Sequence, residues 1–358
     1  MRRLEVGEYR SVFGASGRLT LLVAVCATTW LFVDRARGAV SAAPHLTSPT
    51  QPAADPADTD PSSYLRLYVT PEAEGVAARS QAYVDLDRYY ALPGEPDPEM
   101  LYSSMGEPWT WQVLPTGLIY RSYLAGTKEP RLSGQVINET DWGWLLDGNL
   151  GARIGLLRFG TSDPIWPDGF EIDAEGAAQV RLDIPNNVDV GSVDFRAGLP
   201  ITFGVGSQRT KFGYYHVSAH LGDEYLLRYP GYPRLNYARD CLMFGHSVYL
   251  TPWWRLYGEA DWAFYSDVCD PWEFQFGLDF AAPGPTGPLG APFFAINGHL
   301  REELDFSGSL TVQTGWSWRN NAGQLFRMGL HYYNGLSNQL SFYQRHEQQI
   351  GFGAWYDF

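Results

Sequence analysis

The chain has 358 residues, enough for one large domain with additions. Hydrophobic residues make up 45%, charged ones only 18% and aromatics 15%, and there are 38 glycines, yet mean hydropathy is −0.25. A formal charge of −14 with two lysines, Lys128 and Lys211, argues against nucleic-acid binding. After the N-terminus no apolar run is long enough for a spanning helix. An aromatic-rich, glycine-rich and weakly hydrophobic chain is what the strands of a membrane barrel give, because half of each strand faces polar surroundings.

Arg2, Arg3, Arg10 and Arg18 precede the apolar run Leu19 to Val33, and small residues follow from Gly38 to Ala43. This layout predicts a cleaved secretory signal peptide over residues 1–43, with an uncleaved anchor as the alternative. Val25 before Cys26 is too bulky for a lipoprotein cleavage site. Residues 44–63, rich in Pro, Ala, Asp and Thr, read as a disordered linker. Residues 64–115 are irregular and predict a small periplasmic or plugging segment, ahead of a barrel over 116–358.

From Trp142 the two-residue period hardly breaks. Trp144, Leu146, Leu150 and Ile154 share one face of a strand and Asp147, Asn149 and Arg153 the other. Phe170 to Ile184, Val193 to Val205, Phe274 to Phe280 and Phe326 to Tyr332 repeat the pattern. The closing segment Gln348 to Phe358 puts Ile350, Phe352, Ala354, Tyr356 and Phe358 on one face. A chain stopping on an aromatic in such a strand resembles the closing strand of a bacterial outer-membrane barrel and the signal read by its insertion machinery.

Eleven strands follow from Trp142. Sidedness requires a twelfth before it, for which Arg131 to Asn138 is the candidate, alone or joined by Gly117 to Leu124. The expected fold is therefore all-β: a closed antiparallel transmembrane barrel of about 12 strands, alternatively 10, with a short irregular N-terminal segment. If Phe358 ends in the periplasm, the links near 206–210, 251–253 and 320–322 are periplasmic and short. Those near 223–234 and 335–347 are then external and longer. Export permits a disulfide between Cys241 and Cys269, but hairpin register sets Cys241 opposite about residue 263.

Three segments, LPTGLIYRSYLAGTKEPR (114–131), DGNLGARIGLLRFG (147–160) and HVSAHLGDEYLLR (216–228), resemble an uncharacterised bacterial family, domain of unknown function 1207, seen mainly in planctomycete-type bacteria. The resemblance covers roughly Tyr64 to Phe358. It implies a barrel and supplies no activity, so no functional residue carries over.

The sharpest chemical constellation is His216-Val217-Ser218-Ala219-His220, followed by Asp223 and Glu224. Outer-membrane phospholipases and lipid A deacylases use a His and a Ser two residues apart on a barrel strand. Here Ser218 is the candidate nucleophile, His216 or His220 the base, and Asp223 or Glu224 the orienting acid. Treating Tyr215, Val217, Ala219 and Leu221 as the greasy outward face turns the His and Ser side chains into the lumen, which favours a lumenal hydrogen-bond network over an enzyme. His216 and His220 lie about 13 Å apart on a strand, too far to share a metal. GNLG and GVG lack the helix and Lys of a phosphate loop, so neither metal nor cofactor is expected.

The expected lumenal lining carries both signs: Arg153, Arg181, Arg196, Arg239, Arg301 and Arg327 beside Glu259, Asp261, Glu273 and Asp279, with Glu171, Asp173, Asp183 and Asp194. Such a wall either forms a selective constriction with a mild preference for cations or pairs off and fills a narrow barrel. The expected function is an outer-membrane barrel of a Gram-negative-type bacterium, a narrow channel or structural barrel, with a lipid esterase or deacylase as the alternative. Its expected partners are outer-membrane lipids, lipopolysaccharide and, through Phe358, the barrel-insertion machinery.

Overall fold

The computed structural model describes residues 107–358. The expected signal peptide, the linker and residues 64–106 lie outside the described residues. Thirteen strands follow in chain order. They are β1 (Thr110–Val113), β2 (Leu132–Glu139), β3 (Gly143–Gly160), β4 (Gly169–Asp183), β5 (Asp189–Val205), β6 (Gln208–Leu221) and β7 (Ala238–Tyr249). They continue as β8 (Trp254–Ser266), β9 (Trp272–Phe280), β10 (Ala291–Arg301), β11 (Gly308–Arg319), β12 (Leu325–Leu336) and β13 (His346–Asp357). One short helix, α1 (Asp223–Arg228), lies between β6 and β7.

Strands β2 to β13 pair antiparallel with their sequence neighbours, and β13 closes on β2 through pairs from Gln349↔Glu139 to Tyr356↔Leu132. The result is a closed 12-strand barrel, with β2 where the twelfth strand was expected. Closure leaves the ring without a free edge, which a membrane-spanning sheet requires. β1 is the extra strand. It pairs with the edge of β3 that β2 also uses, further along, from Thr110↔Gly160 to Val113↔Leu157. β1 and β2 run the same way along β3, so they behave as two pieces of one strand position interrupted by residues 114–131. The expectation that Gly117 to Leu124 joins a strand is therefore corrected.

Alternation sorts the side chains as an inside-out protein. Leu150, Ile154, Phe212, Leu330, Ile350 and Phe352 are exposed on the outer face, while arginines and carboxylates of the same strands are buried inside. Trp253, Trp254, Trp316 and Trp318 stand at strand ends, as interface aromatics do.

One rim carries Phe358 and the links 161–168, 206–207, 250–253, 281–290 and 320–324. The opposite rim carries the α1 loop 222–237 and the segment 337–345. The expected contrast between short and long links is partial, because 161–168 and 281–290 are long on the Phe358 rim. Cys241 stands opposite Ala263, as hairpin register requires, and Cys241 and Cys269 are free thiols.

The outer belt sets the first test. Phe352 is half exposed and stands directly opposite Leu330 across β12 and β13. Phe352→Arg is expected to destabilise the vesicle-inserted barrel by about 2–4 kcal/mol in a urea titration followed by heat-modifiable gel mobility. Wild-type stability would contradict a lipid-facing belt.

Candidate functional site

Residues 114–131 leave β1, enter the barrel at the Phe358 rim and fill its interior before the chain emerges as β2. Ile119, Tyr120, Tyr123, Leu124 and Ala125 are all buried. An irregular backbone in a closed barrel must find partners for its carbonyls or lose about 1–3 kcal/mol for each one left unmade. Arginines supply them. Arg158 donates to the carbonyls of Thr116 (3.3 Å) and Gly117 (2.8 Å), and Arg255 to those of Arg121 and Ser122 (both 2.7 Å). Arg131 donates to Tyr123 (2.5 Å) and Leu124 (2.7 Å), and Arg327 also reaches the Leu124 carbonyl (2.9 Å). Carboxylates take donors from the same segment: the Tyr123 hydroxyl donates to Glu259 (2.8 Å) and Lys128 pairs with Asp194 (2.5 Å).

Gly117 is needed where the insert enters. Its φ is +75°, and a Cβ there would lie 2.0 Å from the Pro164 carbonyl oxygen of the β3–β4 link. That link folds over the mouth, with Trp166 buried and its indole donating to the Gly206 carbonyl (3.2 Å). Its length on this rim follows from that covering role. At the other rim, residues 337–345 turn inward: Leu340 and Phe342 are buried, and the Leu340 amide donates to Asp194 (3.0 Å). Between insert and wall, a cavity of about 30 Å³ near Lys128, Asp147, Gln179 and His331 has room for about one water.

The wall residues named from sequence are buried and mostly paired. Arg153 meets Asp173 (2.6 Å), Arg196 meets Glu175 (2.9 Å), and Arg239 meets Glu273 (2.9 Å). Arg181 bridges Asp147 (2.7 Å) and Glu347 (2.8 Å), and Arg327 pairs with Asp357 (2.7 Å). Glu259 takes Lys211 (2.5 Å), Asp279 takes Arg255, and Asp261 accepts from the Tyr215 hydroxyl (2.8 Å). Arg301 lies 3.9 Å from Glu303 and donates to the Ser337 and Tyr343 carbonyls (both 3.2 Å), so it holds the 337–345 segment.

Arg158, Arg255 and Lys211 also line the interior and are absent from the expected lining. Arg158 and Arg153 both face inward although their numbers differ in parity, because a bulge between Gly155 and Leu157 resets the alternation. Arg255 shares the parity of Glu259 and Asp261 and was legible by that rule. Lys211 was hidden by a wrong assignment of faces on β6.

That assignment is corrected by the structure. Arg209 and Lys211 are buried while Phe212 and Tyr214 are exposed, so odd positions of β6 face inward. Tyr215, Val217 and Ala219 join an interior apolar cluster with Tyr237, Cys241, Met243 and Leu340. The upper lumen is greasy there, so apolar character ceases to mark the lipid side. His216, Ser218 and His220 consequently point outward. His216 Nδ1–H donates to Asp240 Oδ1 on β7 (2.9 Å), and the Tyr214 hydroxyl donates to the same oxygen (2.5 Å). Asp223 and Glu224 instead stand in the first turn of α1, and the His220 ring packs against Phe195, with centroids 5.8 Å apart. Among the described residues no group of three or more His, Cys, Asp or Glu side chains is arranged to hold a metal.

A family described as "Protein of unknown function (DUF1207)" matches residues 148–358. No curated protein matches the chain. Among solved structures, outer membrane phospholipase A from Escherichia coli is similar at 11% identity and TM-score 0.43, over 63% of this chain and 92% of that one. A Salmonella typhi outer membrane phospholipase dimer with bound calcium is similar at 13% and 0.43, over 74% and 98%. The KdgM porin is similar at 11% and 0.35, over 63% and 99%. Likeness at this level assigns no activity.

The anchoring arginines give the second test. Arg255→Met strands the buried Asp279 and two carbonyls of the insert. It should destabilise the barrel by about 3–5 kcal/mol in the same titration, whereas a loss under 1 kcal/mol would contradict the anchoring role.

Proposed function

The chain belongs to the DUF1207 family of proteins of unknown function, and we propose that it is an outer-membrane barrel held closed by its own residues 114–131. In this reading the signal peptide 1–43 directs export, Phe358 addresses the insertion machinery from the periplasmic rim, and the apolar belt meets outer-membrane lipid and lipopolysaccharide. The observation that carries the closed state is the set of wall arginines, Arg158, Arg255 and Arg327, each donating to backbone carbonyls of the insert.

With most of its wall arginines and carboxylates paired and residues 114–131 packed between them, the barrel serves as a structural or gated element of the membrane. Paired charges of both signs also leave little selectivity to express. The acidic excess seen in the sequence therefore matters less than the plug.

Conductance separates a plugged barrel from a pore. The gap from Val113 to Leu132 spans seven β3 positions, Leu157 to Leu150, or about 23 Å. A Gly/Ser linker of about eight residues in place of 116–128 therefore bridges it. The full chain is expected to be silent in a planar bilayer, and the linker variant to show discrete, weakly selective steps. Steady conductance in the full chain, or silence in a linker variant that keeps heat-modifiable mobility, would contradict the proposal.

A further inference from the structure

The outward face of β6 and β7 carries a polar group that the plugged lumen does not explain. Carboxylates in the wall, such as Asp147, Asp173, Asp194, Glu259 and Asp279, are buried inside the barrel. Asp240 is turned the other way, onto a face shared with exposed Phe212, Phe244 and Phe264. Asp240 is the third residue of β7, near the rim that carries α1, where an outward charge costs less than at mid-depth yet stands among apolar neighbours. Here it has a partner in His216, whose side chain is 41% exposed against 23% for Asp240, so both are reachable from the bilayer.

We propose that Ser218, His216 and Asp240 form a serine-hydrolase site open to the membrane, acting on carboxylic esters of phospholipid. Asp240 accepts the Nδ1–H of His216 at 2.9 Å, which fixes the ring and leaves Nε2 free as a base. Tyr214 donates to the same carboxylate oxygen and steadies it. Ser218 follows His216 by two positions and so stands on the same face of β6, within about 7 Å between Cα atoms.

The neighbours fit an ester approaching from lipid. Register sets Ala238 and Phe195 beside Ser218, and Ala197 and Asp240 beside His216. Two alanines leave the serine and imidazole uncovered, and Phe195 offers an apolar surface to an acyl chain. A bulge in the β7–β8 pairing falls next to Asp240, which stands opposite Tyr265 while Cys241 stands opposite Ala263. Bulges re-aim side chains beside active sites. His220 packs against Phe195, so His216 is the base.

Catalysis then proceeds in two balanced steps. Ser218 Oγ attacks the acyl carbonyl carbon while its proton passes to His216 Nε2. The ester C–O bond breaks, the lysophospholipid hydroxyl leaves with that proton, and the acyl group stays on Ser218. Water then attacks the acyl-serine and gives a proton to His216. The fatty acid leaves as Ser218 recovers its proton. Ser218 and His216 are the catalytic residues, and Asp240 is a positioning residue.

The test uses the full chain folded in detergent, with mixed micelles of diacyl phosphatidylethanolamine as substrate and a fluorophosphonate as serine label. Heat-modifiable mobility qualifies every sample as folded. Wild type is expected to release fatty acid and to carry the label on Ser218. Ser218→Ala and His216→Gln should each lose about a thousandfold or more in rate. Asp240→Asn should lower kcat at least tenfold with KM within twofold, and Asp240→Glu should restore part of it, a split that a merely structural pair would not produce. His246→Ala, on the outward face of β7 near the other rim, should keep the wild-type rate. Folded wild type that neither hydrolyses nor labels overturns the proposal, as does Ser218→Ala at the wild-type rate. Turnover of p-nitrophenyl butyrate without phosphatidylethanolamine overturns the lipid assignment.

Discussion

An irregular peptide inside a closed barrel must have its carbonyls satisfied by the wall, and this constraint shapes the whole interior. Water cannot solvate a segment packed among buried side chains, and the insert forms no strand of its own. Guanidinium groups answer the need because one planar fork can bind a carboxylate and carbonyls together. Arg255 reaches Asp279 and two carbonyls, and Arg158 reaches Glu171 and two carbonyls. The carboxylates hold the arginines, and the arginines hold the insert. Removing either side leaves a buried charge, which is why the interior stands or falls as a network.

The same constraint accounts for the odd seam of the barrel. The position beside β3 is shared by β1 and β2, with the insert looped out between them into the lumen. This lets the chain plug its own barrel without a separate domain. The β3–β4 link and residues 337–345 cover the two mouths, so these two connections have a packing reason.

Much of the architecture was legible in the sequence because a two-residue period survives any tertiary context. The closing strand, the twelfth strand near 131–138, the placing of Cys241 against 263 and the inward charges from Arg153 to Arg327 all follow from that period. It failed where a second influence intervened. The bulge at Gly155/Leu157 hid Arg158. On β6 the apolar upper lumen inverted the usual link between greasiness and lipid, so His216 and Ser218 were assigned to the wrong side. Lys211, four residues before Tyr215 on the same face, was the residue that would have corrected it. The insert itself has no period to read, and only its Arg and Tyr content hints at a polar interior. Asp240 could not be tied to His216 without the register between β6 and β7.

Residues 114–131 lie inside the folded barrel, and thiol labelling at one site tests that most directly. Ala125 is fully buried in the insert. Ala125→Cys, folded in detergent and treated with a hydrophilic maleimide, should stay unlabelled at position 125 by peptide mapping until the barrel is unfolded by boiling. Labelling at that position in the folded barrel, at the rate of an exposed thiol, would place the segment outside and contradict the account.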